Sequence, residues 1–508
     1  MKDRGPAVLV NPPVSLQERY GRLATAGSSL PPFALMWLAA AARNQGFDSA
    51  IVDAEAEILG PDETAKRILD LNPSAVGFTA STLSIDKAAA VAKLIKEASP
   101  RTPCVIGGPH FNAAPFKTLE LFPDFDMGAI GEGEDTWVDL LNCFQAGDDL
   151  RKVKGMLLRQ DGTVVQTLPR PIEEDMDRIP MPAWDLLPDL TSHYQPSAMR
   201  QHRSPASSLV TTRGCFGKCN FCDTSVFGQR VRGFSADYVF EMIRYLVEQH
   251  GVRYITFYDD NFAHQKNRLR KLMDKLKDAA YDLTFSVNSR VDVVNPETLG
   301  LLAESGCWQI SWGIESGSQE ILDKTAKHVT VEQIRKALAW SHEAGINNKG
   351  FFIMGHAGET LQSIQETIDL ALELPLDDFQ MSFMTPFPGT EIHTNLDQYG
   401  VMDENWKDMN MWTPVFVPHG LTKADLIRWQ KTAIRKFYFR PHIIMNYLKS
   451  IDSLARFQAL SRGFITVLKA LILTDEGIGS PKPEDGLFGE GYEVATPRQQ
   501  TAESTICR

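Results

Sequence analysis

The 508 residues contain no apolar run that reaches the roughly 18 to 20 needed to cross a bilayer, and the opening MKDRGPAVLVNPP lacks the apolar core of a signal peptide. The expectation is a cytoplasmic protein with no membrane span. Positive charge is also in deficit: 64 Asp and Glu outweigh 52 Lys and Arg, for a net charge of −12. That balance argues against a general electrostatic grip on nucleic acid, leaves room only for a local basic groove, and favours a small-molecule partner. Cysteine is scarce. Of seven, Cys104, Cys143, Cys307 and Cys507 are scattered, while Cys215, Cys219 and Cys222 crowd into eight positions, a distribution that excludes a disulfide framework and fits a metal site in a reducing compartment. With 43% hydrophobic and 23% charged residues, the chain is neither wholly disordered nor a miniprotein, and its length allows two or three globular domains.

The order of elements predicts an α/β fold. Over residues 1–150, short β-branched runs near Val8, residues 50–52, 75–78, 104–106 and 127–130 alternate with helical stretches at residues 35–44, 64–71, 85–98 and 136–144. This alternation predicts a doubly wound parallel, Rossmann-like sheet with its ligand beyond the carboxyl ends of the strands. The turns there read Asn11-Pro12-Pro13, Thr79-Ala80-Ser81-Thr82, Gly107-Gly108-Pro109-His110 and Gly131-Glu132-Gly133-Glu134. Any one of them is ordinary turn chemistry, but four on one rim favour a large flat or phosphate-bearing ligand.

Residues 151–205 read as a hairpin around Asp161-Gly162 followed by an extended linker, Ile179-Pro180-Met181-Pro182-Ala183-Trp184. From 206 to 400, six further strand-helix units predict a partial (β/α)6 TIM-type barrel with chemistry at its strand ends. A helical C-terminal region follows over 401–474, opened by a Met- and Trp-rich segment that reads as a packed lid or core, and residues 475–508 have the composition of a disordered tail. Trp308, Trp312, His356, Trp406 and Trp412 are candidates for an apolar pocket, against the alternative that they simply pack.

The chemistry is concentrated in Thr211-Thr212-Arg213-Gly214-Cys215-Phe216-Gly217-Lys218-Cys219-Asn220-Phe221-Cys222, where a C-x3-C-x2-C pattern follows a predicted strand. Three soft thiolates in one loop hold three irons of a four-iron, four-sulfur cluster and leave the fourth iron open. Structural zinc or a chance cluster is the competing reading, and zinc lacks a convincing fourth ligand because Asp223 and the distant histidines fit poorly.

Here the sequence resembles the radical S-adenosylmethionine enzymes, and with its first domain it is similar to their cobalamin-binding branch. The resemblance rests on the cysteine pattern with Phe221 before the last cysteine, on Val10-Asn11-Pro12-Pro13, Gly107-Gly108-Pro109-His110 and Gly131-Glu132-Gly133-Glu134-Asp135-Thr136, and on Gly355-His356-Ala357-Gly358-Glu359-Thr360 and Pro386-Phe387-Pro388-Gly389-Thr390. It implies that Cys215, Cys219 and Cys222 bind the cluster and that the open iron takes the amino and carboxylate groups of S-adenosylmethionine, whose cleavage yields a 5'-deoxyadenosyl radical. It also implies cofactor contacts at Phe221, Asp260 for the methionine amino end, Arg290 for the carboxylate, Glu315 for the ribose and Gly355 for adenine. The bland alternatives are a helix cap for Asp260, a solvated ion pair for Arg290 and a turn role for Glu315.

For cobalamin, the implied contacts are Asn11, Pro12, Thr79, Ser81, Thr82, Gly107, Gly108, His110, Gly131, Glu132 and Gly133. The corrinoid motif Asp-x-His-x-x-Gly is absent after the first strand, so no axial histidine is expected from it. The implied reaction is methyl transfer from cobalamin to an unactivated carbon of a small molecule, such as a natural product, lipid or pigment, with a flavodoxin or ferredoxin as electron donor. The alternatives are an oxidative cyclase or ring-rearranging enzyme of the same family and, in another class, a noncatalytic iron-sulfur electron-transfer protein. A methylthiotransferase is disfavoured, because such relatives carry a second cysteine triad in the first domain. No residue is assigned here as the acid, base or nucleophile of the reaction.

Overall fold

Apolar, β-branched segments form strands β1 (Ala7–Asn11), β2 (Ser49–Asp53), β3 (Ala75–Thr79), β4 (Cys104–Gly107) and β5 (Met127–Ala129) of the first sheet. The computed structural model describes residues 5–160, 162–194 and 202–451, with 457, 460, 461 and 463–465. The tail expected over 475–508, and most of the helix expected beyond 451, lie outside the described residues. The five strands run parallel in the order β2-β1-β3-β4-β5. Because successive side chains point to opposite faces, Val8, Val10 and Val76 enter one core with Ile68 and Phe111, while Leu9 and Val105 enter the other with Leu35, Trp137 and Leu140.

The hairpin β6 (Met156–Gln160) and β7 (Thr163–Gln166) pairs antiparallel on β5 and extends this sheet to seven strands. Its position in the sequence sets it apart with the linker, but in the fold it covers the edge that β5 would otherwise leave unpaired.

The second sheet is parallel in the order β15-β14-β13-β12-β11-β8, from β8 (Ala206–Leu209), β11 (Tyr254–Phe257), β12 (Thr284–Ser289), β13 (Cys307–Glu315), β14 (Asn347–Met354) and β15 (Asp378–Phe383). β8 and β15 do not pair, so it curls into an open half-barrel. Between β8 and β11, the short ribbon of β9 (Thr212–Arg213) and β10 (Arg232–Gly233) closes the base of the loop that carries the three cysteines. After the barrel, β16 (Gly400–Met402) and β17 (Phe416–Pro418) form a hairpin, and the intervening Trp406 and Met409 sink into the core of the first sheet. The Met- and Trp-rich segment is therefore packed core.

Both sheets belong to one compact unit that runs to residue 471. The helix Phe33–Asn44 joins them: Leu35, Ala39 and Ala42 pack on the first sheet, while Phe33, Met36 and Trp37 belong to the barrel core. The Trp37 ring stacks on Phe234 at 5.3 Å.

One glycine shows how tightly the β4–β5 end is built. A Cβ on Gly128 would lie 2.0 Å from the Phe111 ring. Gly128→Ala should lower stability by about 2 kcal/mol through overpacking, measured by chemical denaturation, with no loss of secondary structure by circular dichroism.

Candidate active site

The cysteine loop is held at several points. Asn220 donates from its side chain to Lys324 O at 2.9 Å and from its backbone to Thr325 O at 3.1 Å, and Cys222 N donates to Cys219 O at 3.0 Å. A Cβ on Gly217 would stand 3.2 Å from Arg290 Nη1, 3.4 Å from Cys215 Sγ and 3.8 Å from Cys219 Sγ, so the backbone here lies close to the guanidinium and to two sulfurs. Among the described residues, no group of three or more His, Cys, Asp or Glu side chains converges on the space of one metal ion. The three thiols stand on one loop, the donor set that suits three irons of a four-iron, four-sulfur cluster. Protein packed against their inner sides pushes the thiols of Cys219 and Cys222 up, Cys222 to about 12 although that residue is exposed.

Arg290 Nη1 lies 4.0 Å from Cys219 Sγ, and the guanidinium sits over Phe216 at 5.1 Å. Its other edge is fixed by Asp292, at 2.9 and 2.8 Å, and by Lys327 O at 2.8 Å. Of the adjacent acids after β11, Asp259 is buried and accepts from Thr211 N, Thr211 Oγ1 and Thr212 N at 2.5 to 2.7 Å, which ties β8 to β11. Asp260 is exposed and stands clear of that clamp; protein packed on its inner side, with the charge of Asp259, pushes its carboxyl up to about 6. Neighbouring Asn261 is buried with neither side-chain amide atom partnered. A buried amide of this kind calls for a partner from water or a bound molecule, and nothing in the local sequence pattern singled it out.

Glu315 ends β13 at a register shift, in a left-handed backbone conformation with φ of 68°, and pairs with Lys327 Nζ at 2.8 Å. Gly355, with φ of 91°, donates its backbone N–H to Glu359, as does His356 N at 3.2 Å. Burial pushes the Glu359 carboxyl up to about 8 despite these donors. Phe221 meets the His356 ring edge-on at 5.7 Å, and burial lowers that imidazole to about 3, so it is neutral. Of the tryptophan candidates, Trp308 stacks on His202, Trp312 donates to Asn348 Oδ1 at 2.8 Å, and Trp406 packs on His110; Trp412 is half-buried.

At the carboxyl ends of the first sheet lies a cavity of about 450 Å³. Asn11, Thr79, Gly107, Gly108, Gly131, Glu132 and Gly133 line it, and Leu9, Gly77 and Trp137 form its apolar floor. A Cβ on Gly77 would come within 2.8 Å of the Leu9 side chain and 3.2 Å of the Trp137 ring, so the glycine leaves these side chains room; a glycine inside a strand is the signal by which it could have been found. Pro12, Ser81, Thr82 and His110 are not among the lining residues. His110 turns into the other core, where Nδ1 meets Thr82 Oγ1 at 3.2 Å and the ring lies 4.5 Å from Trp406. The apolar slot and glycine rim fit the nucleotide tail of a corrinoid, with no histidine at the rim.

The far wall of the cavity is Val210, Arg213, Val226 and Phe227, residues on either side of the cysteine triad. Arg213 and Arg232 face each other across the β9–β10 ribbon, and both grip Glu132, at 3.1 and 2.7 Å; Arg213 also holds Glu134. All four side chains are at most 10% exposed. Burial pushes the Glu132 carboxyl up, but the hydrogen bond from Arg232 and the charge of Arg213 reverse this and hold it below the usual range. The Arg213 guanidinium also lies over two rings, Trp37 at 5.0 Å and Phe227 at 5.3 Å. Glu134 and Arg213 stand inside motifs quoted from the sequence but carried no site role there, and Arg232 was not singled out.

A three-cysteine loop on a half-barrel, with residues flanking the triad walling a cavity at the strand ends of a doubly wound sheet, defines an enzyme that works with more than one cofactor. Comparison with known proteins agrees: residues 209–371 match the radical SAM superfamily and residues 21–141 a B12 binding domain. The chain is 32% identical over 425 residues to an uncharacterized methyltransferase of Pyrococcus horikoshii, covering 82% of this chain and 90% of that one. It is 29% identical to the anaerobic magnesium-protoporphyrin IX monomethyl ester cyclase of Cereibacter sphaeroides, covering 81% and 68%. In fold it is similar to the radical S-adenosylmethionine methyltransferase TsrM of Kitasatospora setae with cobalamin and [4Fe-4S] cluster bound, with a TM-score of 0.66, 18% identity, and coverage of 86% and 90%. The chain belongs to the cobalamin-binding radical S-adenosylmethionine enzymes. Its cofactors are a four-iron, four-sulfur cluster, S-adenosylmethionine and cobalamin.

Two outcomes follow from the charges. Arg213→Met leaves Glu132 and Glu134 without their shared cation and should cost about 3 to 5 kcal/mol, read by denaturation, together with reduced iron retention. Glu359 binds a proton more readily folded than unfolded, so between about pH 4.5 and about pH 8 stability should fall as pH rises. In Glu359→Gln that slope should shrink, as followed by melting temperature across the same range.

Proposed function

We propose that this enzyme transfers a methyl group to an unactivated carbon of a small molecule. The observation that carries this reading is the cavity, one wall of which is the rim of the first sheet and the other the residues flanking the cysteine triad. When bound, the cluster supplies S-adenosylmethionine with the electron that starts radical chemistry, and cobalamin supplies the methyl group. The likeness to a methyltransferase over most of both chains supports the assignment.

In this reading Cys215, Cys219 and Cys222 hold the cluster. Arg290 presents its Nη1 edge, the one turned to Cys219, to the carboxylate of S-adenosylmethionine, while Asp292 keeps the guanidinium plane fixed. Asp260 accepts from the methionine amino group. Glu315 shares its carboxylate between Lys327 and a ribose hydroxyl, and Gly355 and Phe221 border the adenine. Asn11, Thr79, Gly107, Gly108 and residues 131–133 take the cobalamin tail. Pro12, Ser81, Thr82 and His110 support that rim from behind. Trp37 and Phe227, both against the Arg213 guanidinium, keep water from the passage between the two cofactors. A flavodoxin or ferredoxin supplies electrons, nucleic acid has no part, and the protein works in the cytoplasm.

Oxidative ring closure is the second reading, favoured by the likeness to the cyclase of Cereibacter sphaeroides. The experiment is to supply S-adenosylmethionine with a deuterated methyl group and follow product mass across candidate substrates; label in the product is expected, and an oxidised, unlabelled product establishes ring closure instead. The role of the cavity is read separately. A Cβ on Gly107 meets nothing closer than 3.9 Å, so Gly107→Phe should fill the cavity and abolish corrinoid retention in gel filtration while leaving iron content at about four per chain.

A further inference from the structure

We infer that the helices Lys423–Tyr438 and Pro441–Lys449 form a docking face for the anionic surface of a phospholipid bilayer. The chain carries −12 overall, yet residues 423–451 hold seven Lys and Arg against one acid, Asp425. Arg428, Arg435, Lys436 and Lys449 among them are exposed.

The same stretch bears an apolar stripe. Ile444, Leu448 and Ile451, spaced i, i+4, i+7, are 45%, 56% and 37% exposed, and Met445 and Phe439 are exposed as well, at 49% and 46%. The opposite side of the second helix is fixed to the barrel: Ile443 is buried and Tyr447 OH reaches Asp378 Oδ1 at 3.4 Å. The face is thus presented rigidly, and no described helix is long and apolar enough to cross a membrane, so the element lies on the surface instead of spanning it.

Charge selects the occupant. A second copy of this chain would bring one positive face against another, which repels. A nucleic acid would satisfy the lysines and arginines but leave the apolar stripe in water. A bilayer with anionic headgroups satisfies both, taking the isoleucines, leucine and methionine among its acyl chains and the cations among its phosphates.

The test uses the full-length protein and sedimentation with vesicles. Binding to phosphatidylglycerol–phosphatidylcholine vesicles, little binding to pure phosphatidylcholine, and weakening by salt are expected. Ile444→Glu with Leu448→Glu, and separately Arg435→Glu with Lys436→Glu, should each reduce binding more than ~10-fold. All four positions are exposed, and an unchanged circular dichroism spectrum and iron content establish that the variants fold. Equal or absent binding to the two vesicle types overturns the inference. So does concentration-dependent dimerisation lost in the Ile444 and Leu448 variant, or binding of duplex nucleic acid, where either occurs in place of vesicle binding.

Discussion

Four buried charges tie this enzyme together. Glu132 and Glu134 descend from the first sheet, Arg213 and Arg232 from the ribbon at the base of the cysteine loop, and each side chain is almost fully withdrawn from water. Taking such groups out of solvent costs several kcal/mol apiece, which is recovered only when every partner is in place and well aligned. The arrangement therefore tolerates little sliding of one sheet on the other. Because the ribbon closes the loop that bears Cys215, Cys219 and Cys222, fixing the ribbon against Glu132 also fixes the loop against the cavity rim. The helix Phe33–Asn44 acts in the same sense, with one face in each core and Trp37 laid on the Arg213 guanidinium.

Much of this fold was legible from sequence because its elements announce themselves locally. The parallel strands are short apolar runs and the crossover helices amphipathic stretches, so element type follows from periodicity over a few residues. The cysteine triad was legible for the same reason, its three donors lying within eight positions. What escaped was long-range. Arg213 meets Glu134 across 79 residues and Arg232 meets Glu132 across 100, and no local pattern joins such partners. The hairpin β6–β7 looked like a linker element because its partner strand, not its own composition, decides its sheet. His110 sits in the turn after β4, as the sequence indicates, but which way its ring faces depends on Trp406, nearly three hundred residues further on.

Two neighbouring acids are placed in opposite surroundings. Asp259 spends its acceptors on three donors from the end of β8, while Asp260 is left exposed beside it. Glu315 shows a different compromise. A left-handed conformation is costly for a residue with a side chain, and here it coincides with a register shift and a buried ion pair to Lys327. The surroundings over-determine the conformation, and strain of this kind persists where a carboxylate must be held at a set position.

The half-barrel raises a last structural question, since an open parallel sheet leaves an edge of unpaired backbone groups. At β15 the answer comes from the C-terminal region. Gln430 Nε2 donates to Met381 O at 2.8 Å and Tyr438 OH to Phe379 O at 2.7 Å, while Phe383 N donates to Met411 O at 2.8 Å. These alternate residues present their backbone groups on one side of the strand, so the edge is satisfied by side chains and a loop in place of a seventh strand. Leu426, Ala433 and Phe437 then bury the inner face of the same helix in the barrel core. The C-terminal helices are in consequence part of the barrel wall, and the basic, apolar-striped face they carry is set at a fixed orientation to the strands that hold the active site.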